Sequence, residues 1–225
     1  MIFALTAAVA AAGSLLVTVF ANRRYSASKD FNTFRRILAG NIPFGAVTLV
    51  SLVAVSLLGN YFYLRAGSNY VQMYKELLLI YGIYLIAFID YKEHLIPNKL
   101  LLALLVIRMG FFLYEAASAF EFMNIALLTP VLGGLLGGVI ILVAMLISRK
   151  GVGMGDVKLF TMIGLFVGST KILPTLFYTV LISALAGLFL IIFRKAKPKD
   201  AMPMAPFALV GLVLNMLISH AGRLI

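Results

Sequence analysis

The chain has no cysteine, only two histidines and only eight acidic residues among its 225. Without cysteine there is no disulfide, no thiol nucleophile and no thiolate zinc site. The histidines, His94 and His220, lie too far apart in sequence for a local metal motif. Charged residues are 12% of the chain, against roughly 25% in an ordinary soluble domain. Hydrophobic residues reach 63% and mean hydropathy is +1.06. A soluble globular protein is thereby excluded. The balance predicts an all-α, polytopic integral membrane bundle.

Also missing is a basic stretch ahead of the first apolar segment, Ile2 to Phe20, so the n-region of a signal peptide is lacking. Arg23 and Arg24 follow the segment at once, and it is expected to be a retained span. Eight apolar stretches can be drawn, at about 2–21, 43–64, 72–91, 99–118, 126–147, 157–172, 174–193 and 206–222. Most approach the roughly 20 residues that cross a bilayer, which gives about eight transmembrane helices in one domain, 1–225. The sixth is short: Leu159 to Leu173 covers about 22 Å at about 1.5 Å per residue, against a core of roughly 30 Å. Either the membrane thins there or the helix begins earlier and draws Asp156 toward hydrocarbon.

The cations set the orientation. The first predicted loop carries Arg23, Arg24, Lys29, Arg35 and Arg36, and the third Lys92 and Lys99. The fifth carries Arg149, Lys150 and Lys158, and the seventh Arg194, Lys195, Lys197 and Lys199. Arg65, Lys75, Arg108, Lys171 and Arg223 lie opposite these loops or within spans. By the positive-inside rule the odd loops are cytoplasmic and both termini outside. The net charge of +11 then reads as topology and contact with anionic lipid, not as a nucleic-acid surface. Residues 22–42 form a short basic loop. Phe31, Phe34, Ile37 and Leu38 fall in it at helical spacing, as in a helix lying on a membrane; a solvated loop is the other reading.

Two carboxylates stand out, because acids at the edge of lipid are costly and point to function. Asp90 closes the third stretch and Asp156 opens the sixth, both on the expected cytoplasmic side. Alone, Asp156 also reads as a helix N-cap, and Asp90 equally as an interfacial partner of Lys92. Together they have what peptide hydrolysis by water needs. Two carboxyls that share a proton supply a base and an acid at once, since like charges in contact cannot both ionise. Gly153 and Gly155 beside Asp156 are expected to permit unusual backbone angles and close approach of an extended substrate. Gly133, Gly134, Gly137 and Gly138, and Gly164 with Gly168, form small-xxx-small pairs that bring helix backbones together. His94, four residues after Asp90, could tune that carboxylate but reads sooner as a water-exposed loop histidine, and Glu115 and Glu121 as ordinary loop charges.

These residues resemble a family. Phe88-Ile89-Asp90-Tyr91-Lys92-Glu93-His94-Leu95-Ile96-Pro97-Asn98 looks like the first signature of the type IV prepilin peptidases. There an Asp is followed by five residues and then Ile-Pro-Asn or Ile-Pro-Asp. Gly153-Met154-Gly155-Asp156-Val157-Lys158 is similar to the second, Gly-x-Gly-Asp-x-Lys. Met202-Pro203-Met204-Ala205-Pro206-Phe207 resembles a Pro-Phe-Gly-Pro segment before the last span, with Met204 and Ala205 where Phe and Gly are usual. Order and spacing match from about Tyr70 onward.

The resemblance implies an intramembrane-type aspartic endopeptidase with Asp90 and Asp156 as the catalytic pair. It would cleave the leader of prepilin-like or pseudopilin precursors at the cytoplasmic face of the cell membrane, with no metal and no organic cofactor. Pro97, Asn98 and Lys158 match motif positions; Lys158 would orient Asp156, lower its pKa, or only pack and snorkel. Many members carry a larger cysteine-bearing insert after the first span and also methylate the new N-terminus. With no cysteine and some twenty residues there, methyl transfer is not expected. The sequence leaves open the precursor and the oligomeric state. Two other activities are compatible with the residue types: a Mg²⁺-dependent lipid phosphotransferase using the same aspartates with Arg149, Lys150 and Lys158, and a proton-coupled transporter.

Overall fold

A computed structural model of the chain describes residues 70–118, 123–148, 152–193 and 202–221. The predicted spans 2–21 and 43–64, the basic stretch 22–42 and Glu121 lie outside the described residues, as do the cations at 149–150 and 194–199. Contacts divide the chain into two units, Met1–Met73 with His220–Ile225, and Tyr74–Ser219. Both signature stretches lie in the second.

Among the described residues every regular element is a helix: α1 Tyr70–Glu93, α2 Asn98–Ser118, α3 Met123–Ile147, α4 Met154–Val167, α5 Ser169–Ile192 and α6 Ala205–Ala221. Each apolar stretch predicted from residue 72 onward becomes one of them. Four are long and apolar enough to cross a membrane, at Val71–Tyr91, Asn98–Ser118, Leu128–Ile147 and Ser169–Ile192. The apolar part of α6, Ala205–Ser219, is shorter. Leu102, Val106 and Leu113 on α2 and Leu135, Val139 and Val143 on α3 point outward. Apolar side chains on the outside as well as the inside are what a lipid solvent selects.

The boundary between the sixth and seventh stretches is corrected. It falls at Gly168, inside the stretch drawn as 157–172. Gly168 has φ +80°, a left-handed conformation that glycine adopts without a Cβ penalty. Its N–H still donates to the Gly164 carbonyl (2.8 Å), closing α4, and its own carbonyl accepts from Ile172 in α5 (3.2 Å). At its other end α4 starts at Met154, before Asp156. The helix thus begins ahead of Leu159, and its 14 residues cover about 21 Å.

Helices α3 and α4 run antiparallel with their backbones in contact, and the glycine pairs explain why. A Cβ on Gly164 would overlap the Gly133 carbonyl, one on Gly137 the Phe160 carbonyl, and one on Gly138 the Thr161 hydroxyl. A Cβ on Gly133 would come within 2.8 Å of the Gly168 Cα. The packing role of these glycines is thus met from both sides. Helices α5 and α6 also run antiparallel. Gly211 lies against Thr179, and Asn215 Nδ2 donates to the Lys171 carbonyl and to Thr175 Oγ1, each at 2.9 Å. The Lys171 carbonyl also accepts from Thr175 Oγ1 (2.8 Å), close to where Pro174 interrupts the helical ladder.

Charge is buried at the end of the bundle away from Asp90, about 22 Å along α1. Lys75 Nζ and Arg108 Nη2 donate to the two oxygens of Glu115 at 2.7 and 2.8 Å. Lys171 Nζ pairs with Glu76 at 2.7 Å. Glu115 is therefore no loop charge: it sits in the last turns of α2 and answers two cations. Arg108, 2% exposed, also donates from Nε to the Leu165 carbonyl (2.7 Å). That carbonyl is among the last four of α4, which lack helical donors of their own. Charges at membrane depth persist when paired in this way.

Candidate active site

Asp90 lies in the last turn of α1. The Asp-x₅-Ile-Pro-Asn spacing has a local reason. Proline bars the residue before it from helical angles, so α1 cannot run on through Ile96. The chain passes Leu95 to Pro97 outside any helix, and the Pro97 carbonyl then accepts from Leu100 and Leu101 (3.1 and 3.3 Å) to start α2. Asp90 is 5% exposed. Its Oδ2 accepts from the backbone N–H of Ala205 at 2.9 Å, the first residue of α6. Of Lys92, its proposed partner, the side chain is not described. The third signature-like stretch thus reaches the site through its backbone, which tolerates Ala205 where the family has glycine. Sequence reading assigned Ala205 no role, since a main-chain donor leaves no mark in side-chain identity.

Asp156 lies in the first turn of α4, where a carboxylate suits the helix dipole. It is not the N-cap. Gly153 holds that position, and its N–H donates to Asp156 Oδ2 (2.9 Å). This is the backbone half of a capping box, since glycine has no side chain to return the bond. Burial holds the Asp156 carboxyl above the ordinary carboxylate range. The Gly153 hydrogen bond draws it part of the way back, and the Asp90 charge pushes it up.

The expected unusual backbone angles at Gly153 and Gly155 are not found. Gly153 is plainly extended (φ −91°, ψ 159°), and Gly155 lies in helix. Their use is space. A Cβ on Gly155 would stand 3.2 Å from Ile96 Cβ, tighter than ordinary contact. Gly153 is exposed at the mouth. Lys158 does not reach Asp156: it donates to Asn98 Oδ1 at 3.1 Å, on the first turn of α2. The two signatures therefore touch twice, at Ile96 with Gly155 and at Asn98 with Lys158.

Between these contacts lies a cavity of about 290 Å³ lined by Asp90, His94, Leu95, Ile96, Asn98, Gly153, Gly155, Asp156 and Lys158. Pro97 is buried behind it. His94 is exposed, as read, but it also lines the cavity and has φ +50°, a conformation that costs a non-glycine residue roughly 1–2 kcal/mol. Among the described residues no three His, Cys, Asp or Glu side chains gather as a metal set would require. The carboxylates that line this cavity are Asp90 and Asp156; Glu93, the further acid that a Mg²⁺ site would draw on, does not.

The sequence resembles those of known proteins. The model of the type IV leader peptidase family matches residues 77–192, a stretch that holds Asp90 and Asp156. A prepilin leader peptidase/N-methyltransferase of Bacillus subtilis is 29% identical over 154 residues, 65% of this chain and 56% of that protein. Proteins of the same name from Pseudomonas aeruginosa and Stutzerimonas stutzeri are each 29% identical over 161 residues, 71% of this chain and 54% of theirs. The chain spans about half the length of these relatives. No solved structure matches it significantly.

Proposed function

Because the chain belongs to the type IV leader peptidase family, we propose that it is a membrane aspartic endopeptidase that removes the leader of a prepilin-like or pseudopilin precursor, with Asp90 and Asp156 as the catalytic pair. One observation carries the proposal: two aspartates 66 positions apart in sequence line one cavity beside an exposed glycine backbone. The charge distribution of the loops supports a site at the cytoplasmic face of the cell membrane, where a precursor presents its leader.

The environments divide the labour. Burial favours the protonated form of Asp156, which serves as the acid; Asp90, held by the Ala205 N–H, serves as the base. Water adds to the scissile carbonyl carbon, giving a proton to Asp90 while Asp156 protonates the carbonyl oxygen. The tetrahedral intermediate then collapses. Its C–N bond breaks, Asp90 returns its proton to the leaving amine, and Asp156 recovers one from the intermediate's hydroxyl. One water is consumed and both carboxyls end as they began, so the cycle as written calls on no metal or organic cofactor. A pair coupled in this way titrates as a unit. The peptidase reaction alone is proposed. The relatives' names join it to N-methyl transfer, and the matched stretch is about half of their length.

The test is leader cleavage by purified protein in liposomes, with EDTA present, comparing wild type with Asp90→Asn and Asp156→Asn. Cleavage by wild type that both substitutions abolish supports the pair. Cleavage by either variant at the wild-type rate sinks it. Activity that returns only with Mg²⁺, or pH-driven flux without cleavage, moves the phosphotransferase or the transporter forward.

A further inference from the structure

His94 is the one non-glycine residue among those described whose φ is positive. It follows the last residue of α1, and its N–H donates to the Asp90 carbonyl at 2.8 Å, so the left-handed turn at His94 closes the helix that carries Asp90. Glycine is the unstrained choice at such a helix end. A side chain kept in a sparsely populated conformation beside a reactive site is a reason to look for its use. This one is exposed and lines the cavity with both aspartates. Among the described residues its imidazole has no hydrogen-bond partner, whereas the neighbouring Lys158 is held by Asn98.

We infer that His94 is a substrate-binding residue, whose imidazole hydrogen-bonds the backbone of the extended peptide as it lies across the cavity. The chemistry fits: a neutral imidazole offers one donor and one acceptor, the pair that a peptide strand presents along its edge. Its place four residues after Asp90, at the end of the same helix, fixes it relative to that carboxylate. The inference rests on the peptidase reading and deepens it.

The test sets stability against function. His94→Gly relieves the backbone while removing the imidazole; His94→Ala keeps the strain and removes the imidazole; His94→Asn tolerates the left-handed turn and retains a polar group. For one prepilin-like precursor in liposomes, KM is expected to rise about tenfold in His94→Gly and His94→Ala with kcat within about threefold, the sign of lost uniform binding. His94→Asn is expected to recover part of the loss. The melting temperature of His94→Gly should equal or exceed that of wild type, so a weakened fold cannot explain its KM. A wild-type KM in His94→Gly overturns the inference, as does a KM that rises only where the melting temperature falls. If wild type cleaves, Asp90→Asn and Asp156→Asn are inert and His94→Gly keeps its KM, this inference alone fails. If wild type does not cleave, the peptidase reading fails with it.

Discussion

Gly164→Ala adds one methyl group at the crossing of α3 and α4, far from the aspartates, and is expected to silence the protein. The added Cβ would lie 2.5 Å from the Gly133 carbonyl carbon and 2.9 Å from the Gly134 nitrogen. Optimal separation between carbons is about 3.5–4.0 Å, so the two backbones must part by about 1 Å. Neither neighbour is a side chain able to swing away. Overpacking of this kind costs about 1–3 kcal/mol, a fall in melting temperature of roughly 2–12 °C. The functional cost is larger. Asp156, the proposed acid, lies on the same helix about 12 Å away, and misplacing a reacting group by about 1 Å lowers the rate on the order of 10²-fold. Gly110→Ala is the control, because no heavy atom lies within 4 Å of its Cβ. It should leave the rate unchanged and raise stability by up to about 1 kcal/mol. Cleavage in liposomes gives the rate, and far-UV circular dichroism the melting curve, since the chain has no tryptophan. A Gly164→Ala protein that cleaves within threefold of wild type would refute the reasoning, and so would equal damage from Gly110→Ala.

Three further outcomes are expected. The raised Asp156 pKa means that the folded state holds this proton more tightly than the unfolded chain. The stability it contributes is complete below the unfolded value of about 3.9 and is lost as pH rises through the folded value. Asp156→Asn should therefore melt above wild type at neutral pH, with the gap closing toward pH 4; a gap that widens on acidification reverses the sign. Lys158→Met breaks an exposed contact with Asn98 and should shift the melting temperature by no more than about 4 °C. It should leave the pH profile of cleavage in place, because Lys158 does not touch Asp156; a displaced profile would reinstate the direct role. Arg108→Met removes a buried cation from Glu115 and from the Leu165 carbonyl, at a cost of about 3 kcal/mol, roughly 6–12 °C on melting. Lys75→Met with Arg108→Met should cost more than the two single changes together, since Glu115 then loses both cations; additive losses would mean that they do not share it.

What the sequence made legible was whatever depends on residue type and local spacing. Asp90 and Asp156 could be matched because both are acids at apolar boundaries, and the Gly133 to Gly138 run announced close packing by its period. Contacts set by the path of the backbone were not legible. Glu115 stands at the end of an apolar run and looks like a loop charge until α1 places Lys75 beside it, 40 residues away in sequence. The break at Gly168 hides in a run of apolar residues, where glycine is as ordinary as it is in any membrane helix. One of the readings left open for Lys158 could have been closed from spacing alone. Residues two apart on a helix do not face each other, so once Asp156 and Lys158 share α4, Lys158 has to turn toward something else.

The geometry gives the two signatures a common reason. Asp90 and Asp156 close on one cavity only if α1, the turn after it and α4 are fixed relative to one another. Ile96 does this by filling the space that Gly155 leaves empty, and Asn98 by accepting from Lys158. Proline at 97 keeps α1 from running on into α2, which leaves Ile96 outside both helices and against Gly155 of α4. Motif residues other than the two aspartates thus have a physical task, to lock together the helices that carry Asp90 and Asp156. The glycines serve the same end by different means. Gly155 admits Ile96, Gly164 admits the backbone of α3, and Gly153 leaves its N–H to Asp156. A larger residue at 155 should therefore disturb the site by parting the two signatures, even though both carboxylates would remain in the chain.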